Sequence, residues 1–167
     1  MWNDTEVPLA ILFTFRCYGT WLPGDERGSV DRYHNAYRSP RKKPNSSLKR
    51  SFDDNLSHPP VRLDAKQRSS VERGIRETCE RRSWHVHAIN VRTNHVHCVI
   101  CIGSKDPGAA WKANATRQMR EEGCWPYEHS PWAEKGSKRR LWNERSVWEA
   151  NDYVLNGQGE DLSDSDE

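Results

Sequence analysis

Four histidines fall between residues 84 and 102 as two His-x-His pairs, His85/His87 and His95/His97, in the stretch "WHVHAINVRTNHVHCVICI". On a β-strand, residues i and i+2 point to the same face, with Cβ atoms roughly 6.5–7 Å apart. Each pair therefore allows two imidazoles to converge on one cation. Five tyrosines (Tyr18, Tyr33, Tyr37, Tyr127 and Tyr153) offer a phenolic oxygen as a nucleophile. Cys98 and Cys101 continue the second run and read as small apolar residues, with Cys98 pointing away from His95 and His97.

The polar break "RTN" makes the histidine stretch a hairpin of two strands, near 84–91 and 95–102. Its loop parity decides whether the four histidines can cooperate. An even loop (Arg92-Thr93, or Val91 to Asn94) sets Asn90 opposite His95 and Ala88 opposite His97, since directly opposed residues share a face. His85 and His87 then lie on the other face, as edge or packing residues, with His87 a candidate buttress. An odd loop gathers all four on one face. Even loops are the commoner choice, so two faces are expected.

The flanking sequence supplies the elements that must hold this hairpin. "LAILFTFRCYGTWL" (9–22) is strand-like, with Leu9, Ile11, Phe13 and Phe15 alternating against Ala10, Leu12, Thr14 and Arg16. Residues 29–62 are polar, Pro-containing and aperiodic, long enough for a binding loop. A helix is predicted over about 64–82, capped by Asp64 with Gln67 three residues on, with Val71, Ile75 and Cys79 as its apolar stripe. A second helix is predicted over about 107–122, with Asp106 as cap, Pro107 first, Gly123 as stop, and Trp111, Ala115 and Met119 inward. A short strand at 136–142 precedes a last helix, opened by Ser146 and Glu149 at capping-box spacing and stopped by Gly157. Trp111 and Trp148 are expected in the core. The order predicts one α+β domain over residues 1–159: a ferredoxin-like antiparallel sheet with helices mainly on one face.

Bulk properties narrow the class. The chain has 167 residues, 34% hydrophobic, with a mean hydropathy of −1.02. No run approaches the roughly 18 apolar residues of a membrane span, and the N-terminus lacks a signal peptide's basic and apolar regions. Five cysteines without zinc-type CxxC pairs point away from a disulfide framework and toward a reducing cytoplasm. Five of the 24 acidic side chains sit in the C-terminal "EDLSDSDE" (160–167), which reads as a disordered tail, so the remaining body carries +7. Residues 38–50, "RSPRKKPNSSLKR", hold six basic side chains and no acidic one. A body of this charge suits a polyanion.

Several segments, in order, resemble one family. "YGTWLPGDERG" (18–28), "HAINVRTNHVH" (87–97) leading into "CVI", "KANATRQMREEG" (112–123), "GSKRRLW" (136–142) and "YVLNGQG" (153–159) are similar to segments of the single-tyrosine HUH transposases, the group that includes REP-associated tyrosine transposases. The match spans roughly residues 9–159. The resemblance implies a cytoplasmic, nucleoid-associated enzyme of DNA transposition that cleaves and rejoins single-stranded or hairpin DNA through a 5′-phosphotyrosine. It sets the metal-binding histidines at His95 and His97 and the nucleophile at Tyr153. The family's further polar ligand, four residues after the tyrosine, falls on Gly157, which has no side chain. Gln158 is favoured in its place, with Asn156 the alternative.

Two imidazoles and an amide suit Mg²⁺ or Mn²⁺. Arg27 in the "GDERG" turn, Arg41, Lys42 and Lys43 in the basic loop, and Arg139 and Arg140 near the last strand are the candidate DNA contacts. Trp21 and Arg27 equally suit a plain turn after a strand. A homodimer is compatible with the family, in which the tyrosine serves its own subunit's histidines or a partner's. Two rivals remain: a domesticated, non-catalytic DNA-binding protein on the same fold, and a structural zinc protein using four histidines or histidines with Cys98 or Cys101.

Overall fold

The computed structural model describes residues 6–19, 46, 47, 50, 54, 56–103 and 110–158. The predicted contacts Arg27, Arg41, Lys42 and Lys43, the cap at Asp106 and Pro107, and the acidic tail lie outside the described residues. Along the described chain run β1 (Ala10–Cys17), α1 (Ala65–Arg81), β2 (His85–Val91), β3 (His95–Cys101), α2 (Trp111–Glu121), β4 (Trp132–Leu141) and α3 (Glu144–Asn156). The four strands form one sheet in the order β2-β3-β1-β4, and every neighbouring pair is antiparallel. This is the expected ferredoxin-like α+β arrangement, with α3 appended.

Alternation along β1 explains why the sheet has two cores. Ile11, Phe13 and Phe15 face one way and join Val71, Ile75 and Cys79 of α1 and Trp111, Ala115 and Met119 of α2 in the larger cluster. Ala10 and Leu12 face the other way and meet Ala88, Val99, Leu141 and, from α3, Ala150 and Val154. Two helices therefore cover one face, and α3 alone covers the other.

The caps show where local chemistry decides element boundaries. Asp64 accepts from the Gln67 N–H at 2.8 Å while the Gln67 side chain accepts from the Asp64 N–H at 2.9 Å, the expected reciprocal box. At α3 the expectation fails: the cap is Asn143, whose side-chain oxygen accepts from the Ser146 N–H at 2.8 Å. The helix thus starts before Ser146, because an Asn supplies the acceptor one turn earlier. β4 begins at Trp132, four residues before the predicted Gly136, since Trp132 pairs opposite Cys17 and packs edge-on against Phe15. α2 begins at Trp111, with Ala110 preceding it and no side-chain cap.

Trp148 is the other correction. It is 67% exposed, whereas Trp111 is 5% exposed. Val147, Ala150 and Val154 carry the sheet-facing side of α3, with Ala150 and Val154 fully buried and Val147 packed beside them. Trp148 follows Val147 by one residue, a rotation of about 100°, which turns it outward.

Ile75→Ala should cost about 2–5 kcal/mol in urea unfolding, because Ile75 is fully enclosed between α1 and the sheet. Trp148→Ala should stay within about 0.5 kcal/mol of the parent. A comparable loss at both positions would contradict the placement of α3.

Candidate metal and nucleophile site

β3 places His95 and His97 on the face covered by α3. In the β1 register, Thr14 opposes His97 and Arg16 opposes His95. The two imidazole centroids are 4.7 Å apart, and the His97 ring lies 5.3 Å from the Tyr153 ring at an interplanar angle of 66°. Tyr153 opens the last turn of α3, one residue before buried Val154. The hydrophobic docking of Val154 against Leu12 and Val99 is therefore what carries the tyrosine to the histidines.

Each histidine is oriented by a polar neighbour. His97 is 4% exposed, and its Nδ1 lies 2.8 Å from Thr14 Oγ1. His95 Nδ1 lies 2.6 Å from Asn94 Oδ1, and its Nε2 lies 3.1 Å from Gln158 Oε1. The Gln158 amide has its own anchor, for Nε2 donates to the Tyr153 carbonyl at 3.0 Å. With the NH₂ turned to that carbonyl, the amide oxygen must face His95. Asn90, directly opposite His97, donates to the Val154 carbonyl at 2.9 Å and satisfies one acceptor left open by the end of α3.

Gly157 explains why Gln158, and not residue 157, reaches His95. Its N–H donates to the Tyr153 carbonyl at 3.0 Å, and a Cβ there would come within 2.7 Å of that same oxygen and 3.1 Å of the tyrosine ring. A side chain at 157 would displace Tyr153, so the chain turns here and delivers Gln158 instead. Asn156 is directed elsewhere: it is exposed, and its amide donates to Asp152 at 2.9 Å.

The hairpin register differs from the expected one. The turn is Thr93-Asn94, still even, but Asn90 opposes His97 and Ala88 opposes Val99. A bulge between Val86 and Ala88 then flips the start of β2, setting His85 opposite Cys101. By register His85 thus returns to the face of His95 and His97, against the two-face expectation. The strand separates them nonetheless: Cys101 lies four residues beyond His97, roughly 13 Å along β3. His85 and His87 are exposed on the edge strand, their rings 4.7 Å apart. Partial burial and the neighbouring His85 charge hold the His87 imidazole below its ordinary value. A four-histidine centre is not assembled, and His87 buttresses nothing at His95.

Cys98 lies on the opposite face in the larger core, where burial pushes its thiol well above the usual range. Among the described residues no group of three or more His, Cys, Asp or Glu side chains is placed to hold a metal ion. His95, His97 and the Gln158 amide stand together instead, two imidazoles and an amide oxygen.

The sheet also sorts the basic candidates. Arg139 opposes Leu12 and shares the histidine face, whereas Arg140 opposes Ile11 and projects from the other face. Arg16 was not foreseen. It is half-buried opposite His95, and although burial lowers its pKa the guanidinium stays charged. Thr14 and Asn90 were missed as well. The one available signal was a hydroxyl and an amide inside otherwise apolar strand runs.

No family model matches the chain, and no curated protein matches it. A solved structure of a REP-associated tyrosine transposase bound to a REP hairpin overlaps 92% of this chain and 69% of its own, with a TM-score of 0.47 and 12% identity.

Thr14→Val keeps the shape of the strand and removes the partner of His97 Nδ1. It should weaken Mn²⁺ binding about 10–100-fold in calorimetry, with the far-ultraviolet dichroism unchanged. Unaltered affinity would show that Thr14 does not orient a metal ligand.

Proposed function

We propose that the protein is a metal-dependent single-stranded DNA strand transferase in which Tyr153 attacks the phosphodiester. The observation that carries this reading is the convergence of His95, His97 and Gln158 beside Tyr153, with His95 Nε2 3.1 Å from Gln158 Oε1, the two imidazole centroids 4.7 Å apart and the His97 ring 5.3 Å from the Tyr153 ring. In the tautomer whose Nδ1–H donates to Asn94 Oδ1, His95 offers a lone pair at Nε2, and the bond from Gln158 Nε2 to the Tyr153 carbonyl keeps the Gln158 oxygen beside it. The donor set therefore fits a divalent cation. His95, His97 and Gln158 would hold it. Nδ1–H of His97, donating to Thr14, would leave Nε2 as the coordinating atom.

When bound, such a cation, Mn²⁺ before Mg²⁺ for two imidazoles, would supply charge neutralisation and polarisation to a phosphate held there. The chain's own residues do the rest. Tyr153, half-buried beside His97, is held by the last turns of α3 so that its phenolic oxygen can approach the phosphorus. As its proton leaves, the oxygen forms a phosphotyrosine bond. The P–O3′ bond breaks, and the departing 3′ oxygen takes up a proton. Attack by a 3′-hydroxyl reverses these changes and joins strands without an external energy source. Arg16, across from His95, is placed to bind a non-bridging phosphate oxygen, and Arg139 on the same face extends the basic path along β4. Arg27, Arg41, Lys42, Lys43 and Arg140 remain proposals as contacts to single-stranded or hairpin DNA. Tyr153 stands beside the histidines of its own chain, which supports attack in cis.

Incubated with end-labelled single-stranded hairpin DNA and Mn²⁺, the protein should form an adduct that survives denaturation. Tyr153→Phe should form none. Gln158→Ala should form less, recovering at higher Mn²⁺. An equal adduct from Tyr153→Phe would rule out this nucleophile, and DNA binding without any adduct from the parent would select the non-catalytic alternative.

A further inference from the structure

A second aromatic feature lies at the same end of the sheet and plays no part in the chemistry above. Three rings from two separate segments stack nearly parallel. His58 lies on His129 with centroids 3.9 Å apart and an interplanar angle of 12°, and His129 lies beside Tyr127 at 5.5 Å and 23°. Tyr127 is 55% exposed, and His58 is also exposed. The rings are braced rather than loosely collapsed. Buried Trp125 meets Tyr127 at 5.0 Å and His129 at 5.5 Å, both edge-on, while its indole N–H donates to the His129 carbonyl at 2.9 Å. Arg120 donates to the carbonyls of Tyr127 and Glu128, each at 3.1 Å, which leaves a guanidinium beside the stack.

The stack is tied to the histidine site through β1. Tyr18 contacts His58 edge-on at 6.0 Å, its N–H donates to the Pro131 carbonyl, and its carbonyl accepts from the Val61 N–H, both at 2.8 Å. It therefore joins the two segments that carry the rings. Gly19 follows at φ +76°, where a Cβ would meet Pro60 Cα at 2.9 Å, so only glycine permits this approach. Tyr18 is two residues beyond Arg16, roughly 7 Å along the strand, and Arg16 opposes His95. The turn preceding His95 is bonded to both sides, with the Cys17 N–H donating to the Asn94 carbonyl at 2.8 Å and the Leu63 N–H to the Thr93 carbonyl at 2.7 Å.

The geometry points to the Tyr127–His129–His58 stack as a binding site for unpaired bases of single-stranded DNA. This rests on the DNA reading above and adds to it the element that grips bases. Braced, near-parallel rings with an exposed end present a ready π-face at little ordering cost. Such platforms accept any base, because every base has a π-face. A duplex cannot use the site, since its bases are already stacked within the helix.

The test compares fluorescein-labelled oligothymidylate with an abasic oligonucleotide of the same length and charge, by anisotropy, with the full chain in chelator. The parent should prefer the thymidylate. Tyr127→Ala and His129→Ala should each lower thymidylate affinity about 5- to 100-fold and leave abasic affinity within about twofold. Tyr127→Phe should match the parent, since the ring is kept. Equal affinity of the parent for the two probes, or parallel losses on both with Tyr127→Ala, overturns the inference. A base preference in a chain that forms no tyrosine adduct supports the stack while removing strand transfer. An adduct without base preference does the reverse.

Discussion

The Tyr153 carbonyl accepts from two donors, the Gly157 N–H and the Gln158 amide, each at 3.0 Å. Those two bonds close the end of α3 and aim Gln158 Oε1 at His95. The turn that ends the helix is thus the turn that completes the site. Asn90 binds the next carbonyl, that of Val154, from the neighbouring edge strand, so the end of α3 is fixed to the sheet as well as to itself. Val154 seats the tyrosine, and without this closure the Gln158 amide would have no fixed distance to the histidine pair.

β1 divides stability from chemistry. Its odd residues Ile11, Phe13 and Phe15 bury into α1 and α2, the larger core. The even residues Thr14 and Arg16 face His97 and His95. A helix pair on one face can therefore hold the sheet rigid while the other face carries groups poorly suited to a core. The smaller cluster under α3 contains just enough apolar surface, chiefly Leu12, Val99, Ala150 and Val154, to seat the helix. No described helix is long and apolar enough to cross a membrane, which matches the lean composition.

Much of this was legible in the sequence because it depends on local rules. Strand alternation from Ala10 to Arg16, the Asp64–Gln67 box, and the Val71/Ile75/Cys79 and Trp111/Ala115/Met119 stripes all reappear as expected, while Leu9 precedes the strand and is exposed. What failed depended on contacts between distant segments. The bulge at His87 is set by pairing with β3, and it shifts His85 to a face that parity alone denied it. Asn143 displaced Ser146 as the cap because two good N-cap residues stood three apart and spacing alone could not rank them. Trp148 faces solvent because the sheet, not its hydrophobicity, fixes the rotation of α3. At the site, Gln158 and His95 meet as the "YVLNGQG" pattern suggested. Thr14, Asn90 and Arg16 became visible only once strand order was known, since no sequence spacing links residue 14 to residue 97.

The central claim is that His95, His97 and Gln158 form one metal site beside Tyr153. Anomalous diffraction from a crystal of the full chain grown with Mn²⁺ tests it most directly. The account predicts a single strong peak between His95 Nε2, His97 and Gln158 Oε1. A peak at His85 and His87 instead, or none within coordination distance of His95 and His97, would contradict it.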